Sequence, residues 1–127
     1  MRACYSGRDF YVTWHGLPRL RPVEAFPREV VVCQADDGRE PFSEWLDSLD
    51  PVTEAYVIER LDRVERGLLG DHSSVGGGVS ELRIDHGPGY RIYFGQAGRE
   101  IHLISGGQKK RQQQDIIAAQ RFWKSHD

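Results

Sequence analysis

The sequence predicts an α+β domain: a small, mostly antiparallel sheet of about four strands, flanked by two N-terminal helices and a C-terminal helix. Three observations carry this. Apolar residues recur at helical spacing between residues 41 and 69. They alternate with polar ones between about 79 and 105, as half-buried antiparallel strands do. After Gly106-Gly107 the pattern returns to a helical one. At 127 residues the chain is large enough for one domain with a modest core.

In order along the chain, Glu29 to Ala35 (EVVVCQA) is short and β-branched, a first strand, and Asp36-Asp37-Gly38 turns the chain. In PFSEWLDSL, Phe42, Trp45, Leu46 and Leu49 fall at i, i+3, i+4, i+7, one apolar helix face. Asp50-Pro51 reads as an N-cap followed by proline at the first helical position. The helix it opens carries Val57, Leu61, Val64 and Leu68 as its stripe, the pairs Glu59/Arg63 and Asp62/Arg66 on its outer face, and Gly70 as its stop. Gly76-Gly77-Gly78 is a flexible lead-in to the next strand, because it lacks both the helix and the Lys-Ser/Thr ending of a phosphate-binding loop. VSELRID, GYRIYFGQ and REIHLIS are the three alternating strands, joined at HGPG and QAGR. A last helix covers KKRQQQDIIAAQRFWKSH, with Ile116, Ala119 and Trp123 facing inward.

Composition narrows the function. The net charge of −2 is uneven: residues 1–27 carry +2, residues 28–75 carry −7 and residues 76–127 carry +3. A surface for a polyanion therefore belongs to the C-terminal half. No apolar run approaches the roughly 20 residues of a membrane span, and the N-terminus lacks the pattern of a secretion signal. Cys4 and Cys33 give neither a disulfide framework nor a zinc spacing, so a reduced, cytoplasmic protein is expected. The five histidines are scattered without a helical metal pair, so no metal and no cofactor is expected. Neither a Gly-x-Ser-x-Gly nor a Cys-His signature supports acyl chemistry.

One local feature breaks a rule. In ELRIDHGPGYRIYF, alternation puts Glu81, Arg83 and Asp85 on one face and Arg91 and Tyr93 on the matching face of the next strand. A five-residue loop sets Arg83 opposite Arg91 or Tyr93. A turn centred on Ala97-Gly98 then sets Phe94 against Ile101 and Tyr93 against His102. Like charges opposed across strands cost up to ~1 kcal/mol, and a broken local rule marks a candidate site. Arg83, Arg91, Tyr93 and His102 are thus expected together on one non-core face. Two guanidiniums suit a phosphate, and a phenol beside them can stack on a base or donate a proton. The bland alternative pairs Arg83 and Arg91 with Glu81, Asp85 and Asp115 on a solvated sheet face. Lys109, Lys110 and Arg111, where the last helix begins, form a candidate backbone clamp.

The run VGGGVSELRIDHGPGYRIYF, a Gly-turn strand, and SGGQKKRQQQDIIAAQRFW together resemble the RelE/ParE superfamily of toxins from type II toxin–antitoxin modules, and most of all the HigB-like, phage-derived addiction module killer branch. PFSEWLDSLDP and IERLDRVERGLLGD resemble its two-helix part. The resemblance spans roughly residues 29–124, so 29–127 is read as the toxin domain, and residues 1–28 as an N-terminal extension expected to be poorly ordered. It implies a RelE-like fold, a cognate antitoxin, often one with a helix-turn-helix domain, and cleavage of mRNA, commonly on the ribosome. Arg83 and Arg91 then correspond to the catalytic basic residues, with Tyr93 beside them, Lys109 to the tail lysine and Asp115 to the acid of the DI pair. His102 is a second candidate for proton transfer, Glu81 a conceivable base, and Lys109, Lys110 and Arg111 hold the RNA. Gln108 departs from the pattern, standing where the family often has an acid. The rival readings are a ParE-type toxin that binds DNA gyrase, and a degenerate antitoxin-binding module.

Overall fold

The computed structural model describes residues 27–125. Its elements run β1 (Glu29–Val32), α1 (Pro41–Asp47), α2 (Pro51–Glu65), β2 (His72–Gly76), β3 (Val79–Ile84), β4 (Tyr90–Ala97), β5 (Glu100–Gln108), a 3₁₀ turn (Lys109–Arg111) and α3 (Gln112–Lys124). One sheet holds all five strands in the order β1-β5-β4-β3-β2. Only the β1–β5 pair is parallel; the other three pairs are antiparallel. The α+β class and the mostly antiparallel sheet are as the sequence predicts, with five strands in place of about four. No helix among the described residues is long and apolar enough to cross a membrane.

The extra strand is β2, HSSVG, on the outer edge of the sheet. Its residues alternate between exposed and half-buried, so it carries no apolar period to read. Gly76-Gly77-Gly78 is therefore no loose lead-in. Gly76 closes β2, and Gly77 and Gly78, at φ +64° and +81°, form the two-residue turn into β3. A turn with both central residues at positive φ is the tight hairpin form that favours Gly-Gly.

The sheet has a core on each face. On one, Phe42, Val57, Leu61 and Val64 from α1 and α2 pack against Leu82, Ile84, Ile92, Phe94, Ile101 and Leu103. On the other, Ala119, Ile116, Phe122 and Trp123 of α3 cover Val79, Tyr93 and Ile104. The second core makes the face expected to be open a largely covered one. Asp50 caps α2 through Val52 and Thr53, as its place before Pro51 predicts. The helix ends at Glu65, though, and Leu68, counted in its stripe, lies beyond it and is 54% exposed. Gly67, at φ +95°, and not Gly70, follows the cap. Pro27 and Arg28 are tied to the body: Arg28 donates to the Gly67 carbonyl at 3.0 Å and Arg99 to that of Pro27 at 3.1 Å. The extension before them lies outside the described residues.

Two tryptophans are seated on glycines of the central strands. Trp45 of α1 lies on Gly106, and Trp123 of α3 on Gly95 from the opposite face; a Cβ at either glycine would overlap the indole ring. Gly106→Ala is expected to cost about 1–3 kcal/mol through overpacking, measured as a lowered midpoint in urea unfolding. A midpoint equal to the parent's would mean that α1 is free to shift.

Candidate functional site

The β3–β4 hairpin fixes the site. Ile84 pairs with Tyr90 across a five-residue loop, and Arg83 stands directly opposite Arg91. The next hairpin departs from expectation. Ala97 pairs with Glu100, so the loop is Gly98-Arg99, and Phe94 faces Leu103 rather than Ile101. Glycine at positive φ belongs at the first central position of such a turn, which moves the register by two residues. Ile104 is then an extra residue in β5 opposite the Tyr93–Phe94 step, a bulge that places Gly107 beside Arg91.

The two guanidiniums are held by one buried carboxylate. Glu81, 3% exposed, accepts from Arg83 Nη1 at 2.6 Å and from Arg91 Nη1 at 3.2 Å on Oε2. Its Oε1 accepts from Gln112 at the start of α3 at 3.0 Å. Glu81 is thus the group that relieves the repulsion, and with both oxygens engaged it is not placed to act as a base. This is the bland pairing in part, but around a buried carboxylate and not on a solvated face.

The two arginines differ. Arg83 also donates from Nε to Asp71 at 3.0 Å and from Nη1 to Ser73 Oγ at 3.0 Å, with Nη2 2.9 Å from Asp71 Oδ1. The hydrogen bonds that Arg83 donates to Asp71 and Glu81 push its pKa further up, and the bond to Asp71 pulls that of Asp71 down. The Arg91 side chain makes a single hydrogen bond among the described residues, the one to Glu81. Most of its five donors are therefore uncommitted. Arg83 and Arg91 line an open cleft of about 370 Å³ together with Lys109, Asp71, Asp85 and the Gly87–Gly89 turn. Lys109 is locked there by its backbone N–H to the Gly89 carbonyl at 3.0 Å.

From the opposite face, α2 supports this end of the sheet. Arg60, 6% exposed, donates to the Asp71 carbonyl at 3.1 Å and to the Arg83 carbonyl at 3.5 Å, and burial lowers its pKa. The outer face of α2 otherwise carries the expected Asp62–Arg66 pair at 3.6 Å. Asp71, Arg60 and Gln112 are site residues that sequence reasoning missed. Asp71 precedes a polar strand that carries no apolar period, and helical periodicity gave no reason to turn the other two toward the sheet.

The other predicted residues lie apart. Tyr93 is on the expected face but fully buried under α3, and its hydroxyl has no hydrogen-bond partner among the described residues. Burial, and then the charges of Asp115 and Glu81, push its pKa far up. It does not reach the cleft. His102 pairs with Gly95, five residues along β5 from Gly107, or roughly 17 Å at the rise of a strand. There it meets Glu100 at 3.0 Å and the edge of the Trp123 ring. The structure therefore brings together Arg83, Arg91 and Lys109, but not Tyr93 or His102. Lys110 and Arg111 turn into a second cleft beside Asp115. Among the described residues no three His, Cys, Asp or Glu side chains converge as a metal site requires.

Asp115, in the first turn of α3, lies against Gly107, with Oδ2 buried and without a hydrogen-bond partner among the described residues. Burial raises its pKa, offset only in part by Arg111. A carboxyl with a folded pKa above the unfolded value binds its proton more tightly in the native state. Its contribution is present at low pH and is lost as pH rises from the ordinary 3.8 through the raised folded value. Asp115→Asn should remove that loss, so thermal unfolding above this window should show a variant more stable than the parent. A variant less stable at every pH would contradict the burial argument.

The phage-derived protein Gp49-like family (DUF891) matches residues 44–123, from α1 to the end of α3. An uncharacterized protein of Haemophilus influenzae (strain ATCC 51907 / DSM 11121 / KW20 / Rd) is 41% identical over 80 residues, covering 61% of this chain and 81% of that protein. The family match includes the β3–β4 hairpin, the residues lining the cleft and nearly all of α3.

Proposed function

Since this chain belongs to the Gp49-like family of phage-derived proteins, we propose that it is the toxin of a type II toxin–antitoxin system, acting as a metal-independent endoribonuclease on mRNA. The family is associated with addiction-module killer toxins of the RelE/ParE-like type. The observation that carries the nuclease reading is the state of Arg91: held on one side by Glu81, with its other donors uncommitted in a cleft shared with Arg83 and Lys109.

The RNA 2′-hydroxyl loses its proton and attacks the adjacent 3′-phosphate, the P–O5′ bond breaks, the departing 5′-oxygen takes a proton from solvent, and a 2′,3′-cyclic phosphate remains. Arg91 and Lys109 bind the phosphoryl oxygens and stabilise the charge that develops on them, which is electrostatic catalysis by fixed donors. Arg83 orients Glu81 and, through it, Arg91. Asp85 is the one acidic side chain lining the cleft that has no ion pair among the described residues, and it takes the role of proton acceptor. The partner is a cognate antitoxin that denies RNA access to this cleft.

The test is incubation of the purified chain with single-stranded RNA, and with ribosomes carrying a message, in the presence of a chelator. The expected products end in cyclic phosphate and 5′-hydroxyl. Intact RNA alongside broken DNA in poisoned cells would replace the nuclease with a gyrase-directed toxin.

A further inference from the structure

A second cleft, of about 390 Å³, lies on the other side of Tyr90 from the arginines. Trp45 and Tyr90 contribute aromatic rings with centroids 6.4 Å apart, and Lys110, Arg111 and Asp115 contribute charge. Its floor is Gly106–Gln108 of β5. The β1–β5 register ends at Leu103, so among the described residues Ser105–Gln108 pair only with β4, and the outer edge of this stretch has no strand partner. Asp115 lines the cleft with one oxygen buried against Gly107 and unpartnered among the described residues. Such a place offers a flat apolar surface beside main-chain and side-chain hydrogen-bonding groups.

We propose that this cleft reads the nucleobase next to the phosphate held by Arg91, with the half-buried Trp45 stacking on the base and Asp115 and the β5 edge contacting its hydrogen-bonding edge. The proposal rests on RNA being the ligand of the neighbouring site. Splayed-out bases are recognised in single-stranded RNA by aromatic stacking combined with hydrogen bonds to the base edge. The 3₁₀ turn Lys109–Arg111 serves both clefts, Lys109 lining the first and Lys110 and Arg111 the second. One short basic turn therefore spans two adjoining sites, as a phosphate and its own base require. As a carboxylate, Asp115 accepts only, so it favours a base that presents an exocyclic amino group.

The test uses the purified full-length chain and RNA pentamers blocked against cleavage by 2′-O-methylation, with each base in turn at each position, and reads binding by fluorescence anisotropy. The parent should discriminate about tenfold among bases at one position, the range of a good paired contact. Asp115→Asn should change the order of preference at that position, because the amide adds donors. Lys110→Ala should weaken all sequences alike. A parent with no base preference, or an Asp115→Asn variant that keeps the parent's order, would overturn the proposal. So would an acidic peptide that protects the Ser105–Gln108 amides from hydrogen exchange when none of the RNAs does, which would assign the edge to a strand-adding partner. Cleavage of unmodified RNA without base preference would remove the pocket and leave the nuclease reading. Base-selective binding without any cleavage would do the reverse.

Discussion

Arg91→Ala is expected to lower RNA cleavage by about 10²–10³-fold, the cost of removing one donor aimed at developing charge, and to leave the fold intact. The fold survives because Glu81 keeps Arg83 and Gln112 when Arg91 is gone. The Arg91 side chain forms one hydrogen bond among the described residues, at 3.2 Å. Activity and stability should therefore separate. Arg83→Ala should behave differently, since Arg83 binds Asp71, Ser73 and Glu81 at once. Its loss should lower the unfolding midpoint as well as activity. Arg91→Lys keeps the charge but loses the planar fork, so it should recover only part of the rate. Single-turnover cleavage beside urea unfolding of the same three variants checks the ordering. If Arg91→Ala lowers stability as much as Arg83→Ala does, the two arginines form one structural unit and Arg91 is not the phosphate ligand.

Glu81→Ala should have the largest effect on stability. Removing one member of a buried ion pair costs about 3–5 kcal/mol when the partner is left uncompensated. Here the Arg83 side chain is 32% exposed and keeps Asp71, so about 2–3 kcal/mol is the expected loss. Arg91, 11% exposed, would face Arg83 across the strand pair with nothing between them. Activity should fall too, because Arg91 loses its anchor. Chemical denaturation gives the number; a change within about 0.5 kcal/mol, typical of a surface substitution, would mean that Glu81 does not organise the pair.

The hairpin was legible because two independent periods agree on it. Alternation gives the faces and the odd loop length keeps them matched, so Arg83 opposite Arg91 follows from the letters alone. Asp50-Pro51 and the Val57, Leu61, Val64 stripe were legible for the same reason, since capping chemistry and helical spacing point to one helix. The content of the other sheet face was not. Tyr93 is an inward residue only because α3 folds back over that face, and no local pattern says which face a terminal helix covers. His102 was misplaced by the turn: choosing Ala97-Gly98 over Gly98-Arg99 shifts the β4–β5 pairs by two residues, and the bulge at Ile104 adds a third for Tyr93 and the residues before it. β2 is polar and at the edge, so nothing in the letters showed that Asp71, the residue just before it, would lie beside Arg83 as its second anchor. Glu81 was seen as a neighbour of the arginines, but its burial depends on Gln112 arriving from a residue 31 positions away.

The measurement that bears most directly on the central claim is mapping of transcript 5′-ends in cells within minutes of inducing the chain, with Arg91→Ala induced in parallel. New ends inside translated messages, present with the parent and absent with Arg91→Ala, are the predicted result. Growth arrest without new ends, or the same ends with Arg91→Ala, would contradict it.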